Sequence, residues 1–181
     1  IDIRKQIIET GDLDVMISIS NNFFYTVTLP TTLWFFDRDK SEKTRGTVLL
    51  IDACEVYRQI DRAHRDFKPE QLEFLSNIVR LYRGNDIETK MNSQKLMETS
   101  FPDRTYEDVK GLCKIATIEE IEEQGWSLNP GRYVGVAEQE DDGVDFKERL
   151  GELHDELEKL NAEARVLEAK ISHNIKQILG E

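Results

Sequence analysis

The sequence lacks several features that define common functional classes. Its 181 residues include only two cysteines, Cys54 and Cys113, and neither has a Cys or His at metal-ligand spacing. This excludes a zinc module and argues against a disulfide framework. No run approaches the roughly 18 apolar residues that a membrane helix needs, so we expect a cytoplasmic protein without a membrane role. The ten glycines are scattered, so no glycine-rich cofactor or nucleotide loop is present.

Basic charge is also scarce. Lys and Arg number 24 against 36 Asp and Glu, which gives a net charge of −12. This balance speaks against a free-standing nucleic-acid module but leaves room for a DNA-acting subunit whose basic surface lies elsewhere. The three histidines, His64, His154 and His173, have no nucleophile or carboxylate in a catalytic pattern. We therefore predict no catalytic, cofactor-binding or metal residue in this chain.

The first third of the chain, residues 1–53, predicts an α/β unit. Isoleucines at helical spacing end at Gly11, and the apolar run 15–19 (VMISI) is typical of a strand that is covered on both faces. Residues 31–36 and 47–53 flank a polar stretch too short for a crossover helix, so we expect them to form an antiparallel hairpin. Three strands with one helix cannot cover both faces of their own sheet, so we expect residues before Ile1 or another chain to complete it.

A mainly helical extension is predicted for residues 54–137. Pro69 stands at a first helical position, Gly84 follows the predicted end of that helix, and Thr117 with Glu120 makes a capping box. Arg58, Arg62 and Arg65 are spaced to form a basic stripe on a predicted helix. They are either contacts to DNA phosphate or part of a solvated ion-pair face, since acidic residues lie nearby.

Residues 138–181 contain an acidic linker and a long heptad helix. The seam positions of this helix are Phe146, Leu150, Leu153, Leu157, Leu160, Ala164, Leu167, Ile171, Asn174 and Ile178. They alternate by three and four residues over about four heptads, with Asn174 as the polar position. The pattern indicates a coiled-coil-type helix that pairs with another chain, and the alternative is a helix folded back on its own domain.

A series of blocks resembles a known family. Residues 24–30 (FYTVTLP), 33–36 (LWFF), 50–53 (LIDA), 67–70 (FKPE) and 128–135 (LNPGRYVG) look like successive blocks in the C-terminal portion of the methylation subunit of type I restriction-modification systems. These are DNA methyltransferases that use S-adenosylmethionine to methylate adenine at N6. The resemblance implies a Rossmann-like sheet whose cofactor motif and catalytic Asn-Pro-Pro-Phe loop lie upstream, so this chain alone is expected to be inactive.

The same resemblance implies roles for particular residues and partners. Phe24 and Tyr25 match the block at the target-base pocket, where an aromatic ring stacks on the flipped adenine, while the alternative places Phe23 and Phe24 in the core. The seam matches the helix that docks on the specificity subunit, and the resemblance implies that duplex DNA is bound by the whole complex. A homodimer formed through this helix is a further alternative. The competing hypothesis is a non-enzymatic coiled-coil assembly module.

Overall fold

A mixed sheet forms the centre of the first part of the chain. The computed structural model describes residues 2–25, 27–136 and 146–179, which fall into two compact units, Ile1–Glu138 and Gln139–Glu181. The strands are β1 (Leu13–Ile19), β2 (Thr31–Phe36), β3 (Thr47–Ala53), β4 (Arg58–Gln59), β5 (Arg65–Asp66) and β6 (Cys113–Thr117). The helices are α1 (Asp2–Glu9), α2 (Pro69–Tyr82), α3 (Gln94–Ser100), α4 (Ile118–Glu123) and α5 (Phe146–Leu179), with a 3-10 turn at Pro130–Arg132.

The main sheet has the strand order β2-β1-β3-β6. β1 is antiparallel to β2 and parallel to β3, and β3 is antiparallel to β6. Every residue of β1 is buried, which confirms the prediction of a strand covered on both faces. Residues on both sides of position 53 contribute to this one sheet, because β6 pairs along β3.

The predicted antiparallel hairpin between residues 31–36 and 47–53 is wrong. β1 lies between those two strands, and its Ile17 pairs with Leu33 on one side and with Ile51 on the other. The antiparallel pair is formed by β1 and β2, which residues 20–30 connect. This order arises because the most apolar strand gains a hydrogen-bonded neighbour on both of its edges.

Residues 37–46 connect β2 to β3 and pass the beginning of β1, where Lys40 fixes them. Its ammonium group donates hydrogen bonds to the carbonyl oxygens of Leu13 at 2.9 Å and Thr47 at 2.6 Å. These carbonyls lie at the first residues of β1 and β3. The lysine therefore joins the beginnings of the two parallel strands, which a simple hairpin loop would not do.

Helices cover the two faces of the sheet with separate apolar cores. On one face, Val15, Leu49 and Ile51 pack with Phe74 and Ile78 of α2. On the other face, Met16 and Leu50 pack with Ile8 of α1, Ile121 of α4 and Trp126. The α4 capping box is present as predicted, since Glu120 N donates to Thr117 Oγ1 and Thr117 N donates to Glu120 Oε2. α1 and α2 also form where the sequence predicted helices.

The second unit contains α5, a helix of 34 residues. Its predicted helical conformation is confirmed, and the seam residues Leu150, Leu153, Leu157 and Leu160 are exposed on the helix taken by itself. The side chains of Phe146 and Ile178 and the linker residues 138–142 lie outside the described residues. Among the helices that are described, none is long and apolar enough to cross a membrane.

Candidate functional site

The loop that follows β1 carries the predicted aromatic site. It leaves the sheet at the carboxyl end of the parallel strands β1 and β3, the end at which α/β sheets generally bind ligands. Asn22 has a positive φ of 64°, a backbone conformation that Asn tolerates better than most residues. After this turn, Val27 N donates to the carbonyl oxygen of Phe24 at 3.3 Å.

The three consecutive aromatic residues of the loop have different surroundings. Phe23 packs on Phe67, with ring centroids 4.5 Å apart, and borders the core on the α2 face. Phe24 is 48% exposed and Tyr25 is 94% exposed. The core alternative therefore describes Phe23, whereas Phe24 is half-exposed and Tyr25 is almost fully exposed.

The arginine stripe on a helix is wrong, because residues 58–66 form a two-stranded antiparallel ribbon of β4 and β5. Asp61 prevents the helix, since its carboxylate accepts hydrogen bonds from Ala63 N at 2.7 Å and from His64 Nδ1, and closes a tight turn. These hydrogen bonds, with that of Ala63 N largest, hold the pKa of Asp61 below its ordinary value. His64 lies in this turn rather than on a helix.

The ribbon also separates the three arginines by role. Arg58 forms an ion pair with Asp66 across the two strands, and the guanidinium of Arg65 is bound to the loop after β1. Arg62 is exposed in the turn of the ribbon. Arg58 and Arg62 are therefore exposed, Arg58 within an ion pair, whereas the guanidinium of Arg65 is engaged by protein groups.

A cleft of about 550 Å³ lies at the carboxyl end of β1 and β3. Arg4, Trp34, Asp52, Cys54 and Asn129 contribute to its lining. Asp52 accepts a hydrogen bond from Cys54 N at 3.0 Å, and burial, followed by this aspartate, raises the pKa of the Cys54 thiol to about 12. The thiol is therefore protonated at neutral pH and is not an activated nucleophile.

The cleft also explains the glycine in the turn at residues 129–131. A Cβ added to Gly131 would lie 3.0 Å from Asp52 Oδ2, and Gly131 N donates to Asn129 Oδ1 at 3.2 Å. The turn thus approaches the end of β3 closely only because residue 131 has no side chain. The block 128–135 singled out in the sequence is a structural neighbour of the loop region at the carboxyl ends of the strands.

One edge of the sheet is open and apolar. Among the described residues, no strand pairs with the outer edge of β2, and Phe35 and Phe36 on its two faces are 45% and 52% exposed. Leu33 and Phe35 line an apolar groove of about 370 Å³ together with Leu72, Leu75 and Val79 of α2. Soluble sheets rarely leave such an edge in water.

The opposite edge of the sheet, at β6, is protected. Ile115 N donates to the Asp108 carboxylate at 2.9 Å, and Val109 N donates to the carbonyl oxygen of Cys113 at the same distance. Residues 108 and 109 thus occupy hydrogen-bonding groups that another strand would need. A further strand can join the sheet only at β2.

Comparison with known proteins identifies the family. A family model described as N-6 DNA Methylase matches residues 1–142. The chain belongs to the N-6 DNA methylase family. This membership does not favour the alternative of a non-enzymatic assembly module.

Two curated relatives of this methylase-family chain are subunits of type I restriction enzymes. The HindI methylase subunit of Haemophilus influenzae is 34% identical over 174 residues, which are 96% of this chain and 35% of that relative. The MjaIX methylase subunit of Methanocaldococcus jannaschii is 34% identical over 178 residues, 98% of this chain and 28% of that relative. The chain thus spans about a third of the length of these relatives, and the similarity extends into α5.

A solved structure shows the same fold. The type I restriction-modification system methyltransferase subunit from Streptococcus thermophilus is 23% identical, with a TM-score of 0.53. The match covers 74% of this chain and 22% of that one. The α/β arrangement described above is therefore shared with part of a methyltransferase subunit.

The loops that follow the two parallel strands, residues 20–25 and 54–57, contain no glycine. Within the described part of the chain, no three His, Cys, Asp or Glu side chains are grouped to hold a metal ion.

Sequence reasoning missed two features of this region. The apolar edge had a local signal in residues 31–36 (TTLWFF), because an apolar run such as the one that ends this strand is typical of a strand with neighbours on both edges and helices on both faces. The attachment of Arg65 to the loop after β1 had no local signal, since the contacting residues are 44 and 45 positions apart in the chain.

Proposed function

We propose that this chain is the C-terminal part of the methylase subunit of a type I restriction-modification system, which methylates adenine at N6 in duplex DNA. The observation that carries the proposal is the similarity to the HindI methylase subunit over 96% of the chain. The family's description, N-6 DNA Methylase, supports methylation at N6, and we assign S-adenosylmethionine to the full subunit as the methyl donor. The cofactor site is assigned to the part of the subunit that this chain does not cover.

The open edge of β2 supports this placement. A methylase subunit of the relatives' length has about two thirds of its residues elsewhere, which can supply a strand for β2 and a cover for the groove beside α2. The exposed Phe35 and Phe36 then become interior residues of one continuous, Rossmann-like sheet. In this arrangement β2, β1, β3 and β6 form the last part of the methyltransferase sheet, with β6 at its far edge.

The loop after β1 contributes to the target-base pocket. A base that leaves the DNA stack needs an apolar face in exchange for its lost neighbours, and Phe24 offers a half-exposed ring at the ligand-binding end of the sheet. Tyr25 lies beside it, with its ring centroid 5.3 Å from that of His64. Arg62, exposed in the adjacent ribbon, is the candidate for a phosphate contact.

The seam of α5 docks on the specificity subunit. Its leucines are exposed on the helix by itself, and their spacing matches that of a paired helix. The curated relatives share this segment, since no more than seven residues of the chain lie outside the similarity to the HindI subunit. The similarity to the HindI methylase subunit thus includes most of the helix, which supports a role for this segment in methylase subunits.

The test is to express the full methylase subunit that contains this chain with its specificity subunit. Plasmid DNA from these cells is analysed by single-molecule sequencing that detects modified bases, which identifies each methylated base and its position. We expect N6-methyladenine at a defined sequence, and its loss when either subunit is omitted. N4-methylcytosine instead, or no methylated base with a folded complex, would contradict the proposal.

A further inference from the structure

Arg65 connects the β4–β5 ribbon to the loop that carries Phe24. Its backbone N donates to the carbonyl oxygen of Asn22 at 2.9 Å. Its guanidinium Nη1 donates to Asn21 Oδ1 at 2.8 Å and also to Ser20 Oγ. One residue thus binds three consecutive positions of the loop, immediately before the aromatic residues.

The side chain of Arg65 is itself fixed from the ribbon side. Its Nε donates to Gln59 Oε1 at 3.0 Å, and its guanidinium carbon lies 4.0 Å from the ring centroid of Tyr57. A planar guanidinium can stack on a ring and donate several hydrogen bonds in its own plane at once, which an ammonium group cannot do. The Arg65 side chain is therefore restrained by the ribbon while it binds the loop.

The loop needs an external restraint at this position. Asn22 has a φ of 64°, and residues 20–25 contain no glycine, so the turn is held in a sparsely populated backbone conformation. Asn22 is followed directly by Phe23 and then by Phe24. A change in the Asn22 dihedral angles would therefore change the direction of the Phe24 ring.

We propose that Arg65 is a positioning residue for the target-base loop, holding the turn at Asn21 and Asn22 so that Phe24 and Tyr25 face the extruded base. The proposal rests on the proposed function. It differs from the phosphate-contact hypothesis, because the guanidinium is engaged by protein groups on both sides. Asn21 is the acceptor through which the restraint acts.

Two substitutions separate positioning from phosphate binding. Arg65→Lys keeps the positive charge but loses the planar fork, and Asn21→Ala removes the acceptor without touching the charge. The matched control is Arg80→Lys. Arg80 is a half-buried arginine of α2 that binds the carbonyl oxygen of Asp86 and the carboxylate of Glu88. All variants are made in the methylase subunit in complex with the specificity subunit.

The experiment measures three quantities for each complex: hydrogen exchange of residues 20–25, the Kd for duplex DNA with its salt dependence, and the single-turnover methylation rate. We expect Arg65→Lys and Asn21→Ala each to speed exchange in the loop and to slow methylation by about tenfold or more, with the Kd nearly unchanged. The double variant should be no slower than either single one. Arg80→Lys should match the wild type.

Three results would overturn the proposal. Wild-type methylation by Arg65→Lys would show that charge alone suffices. A weaker Kd with a salt slope reduced by about one would show a phosphate contact. Faster exchange in the loop with unchanged methylation would show a structural role only. If Phe24→Ala is fully active, the target-base function fails, while the exchange data still decide whether Arg65 holds the loop.

Discussion

Lys40 and Asp14 form a buried ion pair, with Lys40 Nζ 3.5 Å from Asp14 Oδ1 and almost no exposed side-chain surface on either residue. Arg83 also pairs with Asp14, through a hydrogen bond of 3.1 Å from its Nε. Burial lowers the pKa of Lys40 and the aspartate opposes this change. The pair lies where residues 37–46 cross from β2 to β3, so it stabilises the strand order of the sheet.

Replacing Lys40 tests this role. We expect Lys40→Met to lower the free energy of unfolding by about 3 to 5 kcal/mol, because it leaves a buried carboxylate with one cation fewer and two carbonyl groups without their donor. Lys43→Met, in the exposed part of the same segment, should change it by less than about 0.5 kcal/mol. Urea unfolding followed by circular dichroism measures both. An equal loss of unfolding free energy in the two variants would show that the buried ion pair does not stabilise the strand order.

The capping box of α4 predicts a pH dependence. The hydrogen bond from Lys114, then that from Thr117 N, holds the pKa of Glu120 below its ordinary value of 4.5. The folded state therefore binds fewer protons than the unfolded state, and the stabilisation is present above pH 4.5 and is lost as the pH falls through the lowered pKa.

The matched variant is Glu120→Gln, which keeps an oxygen acceptor and removes the charge. We expect it to be less stable than the wild type by about 0.5 kcal/mol at pH 7, since the pair is partly exposed. The two proteins should converge when the carboxyl group is protonated. Thermal melts between pH 7 and pH 3 measure the difference, and a gap that widens towards acid would refute the assignment.

The seam of α5 is tested by two matched double substitutions. Leu157→Glu with Leu160→Glu places two charges on the seam, and we expect loss of the specificity subunit because an acidic side chain in an apolar interface costs several kcal/mol. Ala162→Glu with Val166→Glu adds the same charge off the seam and should leave binding intact. Co-purification is measured together with the melting temperature of the isolated chain.

The outcome separates two hypotheses for the helix. An unchanged melting temperature with loss of the complex supports an intermolecular seam. A large drop in the melting temperature of a verified monomer, seen only for the seam variant, would show that the helix folds back on its own domain.

The sequence predicted those parts of the fold that local patterns determine. The run at residues 15–19 indicated a strand buried on both faces, and the pair Thr117 and Glu120 indicated the beginning of α4. Strand order could not be derived in this way, because the alternation of apolar residues does not say which edge a strand will use. Residues 31–36 and 47–53 are sequence neighbours, yet β1 lies between them.

The candidate site shows the same division. Arginines at 58, 62 and 65 fit a helical spacing, but the turn around Asp61 places them on a ribbon. The sequence did not show which ring of the aromatic loop is packed: Phe23 borders the core, Phe24 is half-exposed, and the preceding Asn22 has a positive φ. The contacts of Arg65 to residues 20–22 have no signature in the loop itself, because Arg65 lies more than 40 positions away in the chain.

The most direct test of the account is the single-turnover methylation rate of duplex DNA by the methylase–specificity complex carrying Phe24→Ala. Loss of the stacking face should cost about 1 to 3 kcal/mol, a rate decrease of roughly fivefold to 150-fold, with S-adenosylmethionine affinity nearly unchanged. Phe24→Trp should restore part of the rate, and Leu29→Ala, at an exposed position of the same loop, should leave it unchanged. A folded Phe24→Ala complex that methylates at the wild-type rate would contradict the placement of this loop at the target base.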